Sequence, residues 1–235
     1  MGVREFARAI GNVNRYTQMH PLAACIDHTL LRPDATETDI EKLCLEARDY
    51  QFFGVCVNGS WVETACRGLQ GSAASVVCAV GFPLGTMASE AKRRETELAV
   101  SDGAQEIDFV LNVGRLKQGD RSYVLNEIRE VAKAARGRRV KVILETCLLN
   151  QEEKILACRL AMDGGAHFVK TSTGFSSAGA LVSDVRLLRE TVGPDFGVKA
   201  SGGIRDLKTA VAMIEAGATR IGTSAGVAIV KGEKG

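Results

Sequence analysis

The feature that most constrains the fold is a series of short apolar runs separated by longer amphipathic segments. Each run is rich in β-branched residues and almost continuous in apolar character. This is typical of parallel strands that are covered by helices on both faces. Eight such runs occur, at residues 24–30, 54–58, 75–82, 106–112, 139–146, 166–171, 197–201 and 219–223.

The segments between the runs have the pattern of amphipathic helices. Segment 36–50 opens with Thr36, a good N-cap, and continues with an apolar stripe at Ile40, Leu43, Cys44 and Ala47. Several segments end in glycine just before the next run, where glycine supplies a left-handed C-cap. Further helices are predicted at 60–68, 89–101, 123–135, 151–161, 181–192 and 207–216.

A strand followed by a helix is therefore the repeating unit. Eight units in 235 residues predict an α/β protein with the (β/α)8 TIM-barrel fold, whose usual length is about 250 residues. The alternative is an open doubly wound sheet, which normally has fewer strands and a glycine-rich turn after the first. Residues 1–235 are predicted to form a single domain, with a helical extension over residues 1–20 and its helix at 3–16.

Composition excludes several other classes. The 30 Lys and Arg residues against 28 Asp and Glu, with 5% aromatics, disfavour a nucleic-acid partner. No apolar stretch approaches the roughly 20 residues of a membrane span. The seven cysteines show no C-x-x-C spacing, which disfavours disulfides and a zinc site. Reduced thiols of this kind predict a cytoplasmic protein.

Charged residues interrupt five of the predicted strands. Asp27, Asp108, Lys141, Lys170 and Lys199 stand where the pattern demands apolar side chains, and such groups are rarely buried without partners. A structural ion-pair network would explain each one alone. In a barrel, however, residues on several strands converge at the carboxyl ends, where active sites lie. The five together therefore predict a shared polar centre.

Two of these residues suggest a specific chemistry. Lys170 and Lys199 lie on consecutive predicted strands and are expected to be neighbours. Repulsion between them and burial would both lower a lysine pKa. An amine attacks a carbonyl only as the free base, and with an ordinary pKa only about 0.04% is free at pH 7. The pair therefore predicts a lysine that forms a Schiff base with a carbonyl substrate.

Glycine-rich turns follow the last three predicted strands. In these barrels the loops after strands 7 and 8 frequently bind phosphate through backbone N–H groups. The Ser224 hydroxyl and the Arg205 guanidinium lie close to these glycines in the sequence and would add contacts to the phosphate. The expected phosphate-binding residues are Gly174, Gly202, Gly203, Arg205, Gly222 and Ser224.

Together these residues resemble the 2-deoxyribose-5-phosphate aldolase family. The most specific segments are K-T-S-T-G at 170–174, K-A-S-G-G at 199–203 and E-I-D at 106–108. The resemblance extends over residues 22–226. Further matching segments lie at 26–31, 55–58, 80–85 and 141–146.

The resemblance implies reversible cleavage of 2-deoxy-D-ribose 5-phosphate to glyceraldehyde 3-phosphate and acetaldehyde. It implies that Lys170 forms the Schiff base, that Lys199 lowers the pKa of Lys170, and that Asp108 relays protons with Lys199 through water. Asp27, Lys141 and Thr171 would belong to the substrate or polar centre. No metal and no cofactor are expected; the expected partners are a phosphosugar, aldehydes and further copies in a dimer or tetramer.

Two positions depart from the pattern of some family members. Phe175 stands where some members carry a lysine, and the chain ends without the tyrosine-bearing tail of others. Two other functions stay open at this point. A phosphosugar isomerase or synthase on the same barrel would use a Glu or His base, and a phosphometabolite-binding protein would bind without turnover.

Overall fold

A computed structural model describes residues 20–232 of the chain. Its centre is a closed barrel in which every strand pairs in parallel with its neighbours in sequence. The first and last strands close the barrel, with Ile26 opposite Ile221. The strands are β1 (Ile26–Leu30), β2 (Gly54–Asn58), β3 (Ser75–Val80), β4 (Glu106–Val110), β5 (Arg139–Ile143), β6 (Phe168–Lys170), β7 (Gly197–Ser201) and β8 (Arg220–Thr223).

Helices connect the strands on the outside of the barrel. This confirms the predicted (β/α)8 architecture, and the doubly wound open sheet is wrong because β1 pairs with β8. The helices are α1 (Glu37–Asp49), α2 (Val62–Gly68), α3 (Ser89–Ser101), α4 (Val113–Lys117), α5 (Arg121–Ala134), α6 (Gln151–Asp163), α7 (Val182–Val192), α8 (Leu207–Glu215) and α9 (Gly226–Lys231).

Helix α1 shows how the sequence sets these boundaries. The Thr36 side chain accepts a hydrogen bond from the Asp39 backbone N–H, and the Asp39 carboxylate accepts one from the Thr36 N–H. This reciprocal capping box satisfies two donors that the first helical turn leaves free. The apolar stripe predicted for this helix is buried as expected. Apolar burial on the barrel then stabilises a helix that would be marginal alone.

The differences from the predicted boundaries have physical causes. Strands β3, β4 and β5 end at Val80, Val110 and Ile143, two or three residues before the apolar runs end. Leu111 and Leu144 are fully buried although they lie outside the strands, so apolar character alone does not mark the end of pairing. Helices α4 and α9 were not predicted because five or six residues are too few to show a helical period.

The barrel interior is polar over much of its length. A small apolar cluster of Leu31, Cys56, Val77 and Ala79 fills the side formed by β1, β2 and β3. The larger apolar core lies between the strands and the surrounding helices. The rest of the barrel interior holds buried charged side chains from β1, β4, β5, β6, β7 and β8. Burial of this kind requires that the charges pair with one another.

Parts of the predictions fall outside what the structure describes. The N-terminal helix at 3–16 lies outside the described residues, as does nearly all of the 1–20 extension. The single-domain assignment for residues 1–235 therefore stays a prediction. Between residues 20 and 232, no helix has the length and apolar character needed to cross a membrane.

Candidate active site

Strand register brings the predicted charged residues together. Lys170 on β6 lies opposite Lys199 on β7, and Asp108 on β4 lies opposite Lys141 on β5. Asp27, Asp108, Lys141 and Lys199 are fully buried, and 2% of Lys170 is exposed. The prediction that the two lysines are neighbours is confirmed, and all five side chains belong to one network.

Asp108 is the centre of this network because three ammonium groups contact its carboxylate. Lys141 Nζ lies 2.7 Å from Oδ1, whereas Lys170 Nζ and Lys199 Nζ lie 2.9 and 2.7 Å from Oδ2. Burial opposes ionisation, but the charges of Lys141, Lys170 and Lys199 outweigh it and hold the pKa of Asp108 well below its usual range. Asp108 is therefore a carboxylate. Its contact with Lys199 is direct, and the proton relay through water that the resemblance implies stays a prediction.

Lys199 shares its ammonium group between two carboxylates. Its Nζ donates to Asp27 Oδ2 as well as to Asp108 Oδ2. Burial lowers the pKa of Lys199, but the charges of Asp108 and Asp27 outweigh burial and raise it above the ordinary value. The expectation of a lowered pKa is wrong for Lys199, because the sequence did not show which carboxylates would surround it. For the other lysine of the pair the expectation stays a prediction.

Two members of the network were missed by the sequence analysis. Arg220 at the start of β8 donates to Asp27 Oδ1 at 2.9 Å and to Glu106 Oε2 at 3.0 Å. Glu106 also lies 2.6 Å from Lys141 Nζ. Both lie inside predicted strands, so the criterion that found the other five, charge within a strand, would have found them. Arg139, whose side chain is 56% exposed, also lies 3.4 Å from Glu106 Oε1. The buried part of the network contains four cations and three carboxylates, a formal charge of +1.

A cavity of about 280 Å³ opens above this network. Lys170 at the end of β6 lines it, whereas Lys141, Lys199 and Arg220 do not. The cavity thus gives a ligand access to one ammonium group of the network. All the residues predicted to bind phosphate line the same cavity: Gly174, Gly202, Gly203, Arg205, Gly222 and Ser224.

All four of these glycines are also needed by the backbone or by packing, and Gly174 has a left-handed φ of 85°. Gly202 and Gly203 have φ angles of 86° and 77°, a left-handed conformation that other residues rarely adopt. A Cβ atom on Gly222 would lie 3.0 Å from Lys199 Cε, so this glycine leaves room for the lysine. Their presence in the sequence therefore has a structural cause besides any contact with phosphate.

Thr171 lies in the barrel wall and does not line the cavity. Its hydroxyl donates to the Ser201 carbonyl oxygen and accepts from the Ser201 N–H, both at 3.1 Å. These bonds tie the end of β6 to the end of β7. The Thr171 hydroxyl is thus used between strands, and its place in the substrate or polar centre stays a prediction.

Glu145 is a further residue that the sequence analysis missed. It follows β5 in a left-handed conformation with φ 55°, and its side chain is buried. Its carboxylate accepts from the Thr173 hydroxyl and from the Thr173 N–H, at 3.3 Å for the nearer oxygen. Thr173 Oγ1 in turn accepts from the Phe175 N–H at 3.1 Å. Glu145 thus fixes the loop that follows Lys170. Its unusual backbone conformation gives no signal in the sequence.

No metal centre is formed by the residues described. Between residues 20 and 232, no three His, Cys, Asp or Glu side chains converge in a way that would hold an ion. The carboxylates at the centre of the barrel contact lysine and arginine side chains instead. The expectation of a reaction without metal or cofactor stays a prediction.

Comparison with known proteins shows that this chain is similar to aldolases. Residues 22–232 match the model of the DeoC/LacD family aldolases. The deoxyribose-phosphate aldolase of Alkaliphilus oremlandii is 59% identical over 214 residues, which cover 91% of this chain and 96% of that protein. An aldolase called QR15 is 40% identical with a TM-score of 0.86, covering 89% and 94% of the two chains. A tetrameric deoxyribose phosphate aldolase from Aeropyrum pernix is 33% identical with a TM-score of 0.87, covering 97% and 95%.

Proposed function

The chain belongs to the DeoC/LacD aldolase family, and from this premise we propose that Lys170 catalyses reversible cleavage of 2-deoxy-D-ribose 5-phosphate through a Schiff base. The products are glyceraldehyde 3-phosphate and acetaldehyde. The aldolase activity follows from relatives named deoxyribose-phosphate aldolase over most of the chain. The observation that carries the role of Lys170 is that this amine alone joins the buried network to the cavity.

The reaction begins with attack of the Lys170 amine on the C1 aldehyde of the open-chain sugar. Loss of water from the carbinolamine gives the protonated Schiff base. Removal of the proton from the C3 hydroxyl then breaks the C2–C3 bond, and the electron pair moves to the iminium nitrogen to give an enamine. Glyceraldehyde 3-phosphate leaves; protonation of the enamine at C2 and hydrolysis release acetaldehyde and the free amine.

The network supplies the proton transfers that these steps require. Asp108 Oδ2 lies within hydrogen-bond distance of both Lys170 and Lys199, so this oxygen would take up and return a proton beside Lys170 while Lys199 holds the carboxylate in place. Lys199 keeps its charge, since two carboxylates hold it. Release of one proton to the substrate or solvent changes the formal charge of the network from +1 to zero, which a low-dielectric interior favours.

The other end of the cavity is proposed to bind the 5-phosphate. Gly174, Gly202, Gly203, Gly222 and Ser224 would offer backbone N–H groups or a hydroxyl, and Arg205 a guanidinium. Binding energy from this remote group would position C1 against Lys170. A dimer or tetramer is part of the proposal, supported by the tetrameric relative from Aeropyrum pernix. So is a cytoplasmic location, which the free cysteines support.

Trapping with borohydride tests the covalent step. We expect acetaldehyde and borohydride to add a reduced two-carbon group to the peptide that contains Lys170, as mass spectrometry would show. Lys170→Arg should lose both the adduct and turnover, because guanidinium stays protonated. Lys133→Arg, on an exposed position of α5, is the matched control. A label on Lys199, or binding of the sugar phosphate with no adduct and no turnover, would refute the proposal.

A further inference from the structure

The loop after β1 reaches the cavity next to the loop after β8. Closure of the barrel places Asp27 opposite Gly222 and His28 opposite Thr223. The loop that follows β1 therefore lies beside the loop that follows β8. Arg32 in the first loop lines the same cavity as Ser224 in the second. The sequence analysis did not connect Arg32 with the phosphate site, because the two are far apart along the chain.

The lining of this cavity has an uneven charge distribution. Its charged residues are Arg32, Lys170 and Arg205, and its wall contains no carboxylate. Phe175 adds an apolar surface, and its ring packs edge-on against Phe82 with 5.1 Å between the centroids. A phosphate monoester carries a charge of about −1.5 to −2 near neutral pH. Because the proposed function assigns Lys170 to the aldehyde carbon, Arg32 and Arg205 are the cations of this wall that remain to contact the phosphate.

Arg32 is held in place by two carboxylates that lie outside the cavity wall. Its NH1 group lies 2.8 Å from Asp34 Oδ1, and its NH2 group donates to Asp39 Oδ2 at 2.6 Å. A guanidinium has five N–H donors, so three are not used by these contacts. Asp39 is itself fixed by the capping box of α1. The guanidinium is thereby oriented before a ligand arrives, which reduces the entropy lost on binding.

We propose that Arg32 binds the 5-phosphate of the substrate and is a specificity-determining residue for phosphorylated sugars. The inference rests on the proposed function, since that function supplies the phosphorylated substrate. Asp34 and Asp39 orient the guanidinium, and their negative charge weakens its attraction for the anion. Removing the arginine should therefore weaken phosphate binding, whereas removing the charge of Asp34 should not.

The test compares kcat/KM for 2-deoxyribose 5-phosphate and for 2-deoxyribose in four proteins. In Arg32→Gln the ratio of the two values should fall about tenfold, the effect of one charge-assisted hydrogen bond. In Asp34→Asn the ratio should equal or exceed that of the wild type. Arg67→Gln is the matched control, because Arg67 is also exposed and paired with an acid, Glu37 at 3.3 Å, but lies outside the cavity wall. Its ratio should not change.

Two results would overturn the inference. Arg32→Gln could lower kcat/KM for both sugars by the same factor, or Asp34→Asn could lower the ratio as Arg32→Gln does. Either would mean that Arg32 only supports the start of α1. If the wild type cleaves neither sugar, the proposed function fails instead. Calorimetry with inorganic phosphate then tests the role of Arg32 independently of turnover. A Kd for phosphate about tenfold higher in Arg32→Gln than in the wild type supports that role, and an equal Kd refutes it.

Discussion

Replacing Asp108 with asparagine tests the charge balance of the buried network. Each Asp108 oxygen accepts from at least one ammonium group, at 2.7 to 2.9 Å. An amide has one oxygen, so its NH2 group must face an ammonium group. Removing one partner of a buried ion pair costs about 3–5 kcal/mol. For a chain of this size, that loss lowers Tm by about 6–20 °C.

The same substitution should also slow the reaction. The amide that replaces the carboxylate cannot accept a proton, and general acid–base groups contribute about 10²–10⁴-fold to rate. We expect kcat for 2-deoxyribose 5-phosphate to fall within that range, measured by enzymatic detection of glyceraldehyde 3-phosphate. Thermal unfolding of the same preparation gives Tm, and the assay is run well below the lowered Tm so that unfolding does not contribute.

A second substitution separates charge balance from proton transfer. Asp108→Asn leaves four cations and two carboxylates, whereas adding Lys141→Met leaves three and two, which restores the wild-type formal charge of +1. The double variant should regain most of the lost Tm while kcat stays low. Recovery of kcat would show that Asp108 only balances Lys141. An unchanged Tm in the single variant would refute the charge argument itself.

Three further predictions concern stability and the supporting hydrogen bonds. The pKa of Lys199 is raised, so its contribution to the free energy of unfolding is complete below about pH 10.4 and lost as pH rises through the folded value. The pKa of Asp108 is lowered, so its contribution to the free energy of unfolding is complete above about pH 3.9 and lost as pH falls through the folded value. Urea unfolding measured across pH should therefore show a loss of stability at acid pH and another at alkaline pH. Asp108→Asn should reduce the loss at acid pH. Glu145→Gln should lower the free energy of unfolding by about 1.5–3 kcal/mol and raise KM, because the amide nitrogen cannot accept a hydrogen bond from Thr173. Urea unfolding measures the stability and steady-state kinetics measures KM. If both are unchanged, Glu145 does not fix the loop. Thr171→Val should cost about 1–3 kcal/mol of stability yet change KM by less than about threefold, since the Thr171 hydroxyl bonds the neighbouring strand. A large rise in KM with unchanged stability would instead indicate a contact with the substrate.

The fold could be predicted from the sequence because its signals are local. Each strand is buried on both faces and therefore appears as a nearly continuous apolar run. Helices α1, α4, α5, α6 and α8 each begin after a residue whose side chain caps them. Segment 36–50 illustrates this, since both the cap at Thr36 and the buried stripe are present as expected. Helix α9 shows the limit, because six residues that follow a glycine-rich turn carry no helical period.

The site could be predicted only in part because its energetics depend on contacts between distant residues. Lys199 and Asp27 lie 172 positions apart in the chain, and their contact helps decide the direction of the Lys199 pKa. Repulsion from a neighbouring lysine could be inferred from strand order, but the compensating carboxylates could not. Glu145 was missed for a related reason, since its role in fixing the loop depends on a left-handed backbone conformation and on contact with Thr173, 28 positions away.

The different surroundings of the two lysines explain why they are expected to play different parts. Lys199 contacts two carboxylates and does not line the cavity, so it retains its proton and no substrate reaches it. Lys170 contacts one carboxylate, Asp108, and the same oxygen of that carboxylate also accepts from Lys199. Arg220 cannot release a proton, and Lys141 is buried between Asp108 and Glu106. Lys170 is therefore the cation of this network that lines the cavity, where the proposed function has it meet a carbonyl carbon.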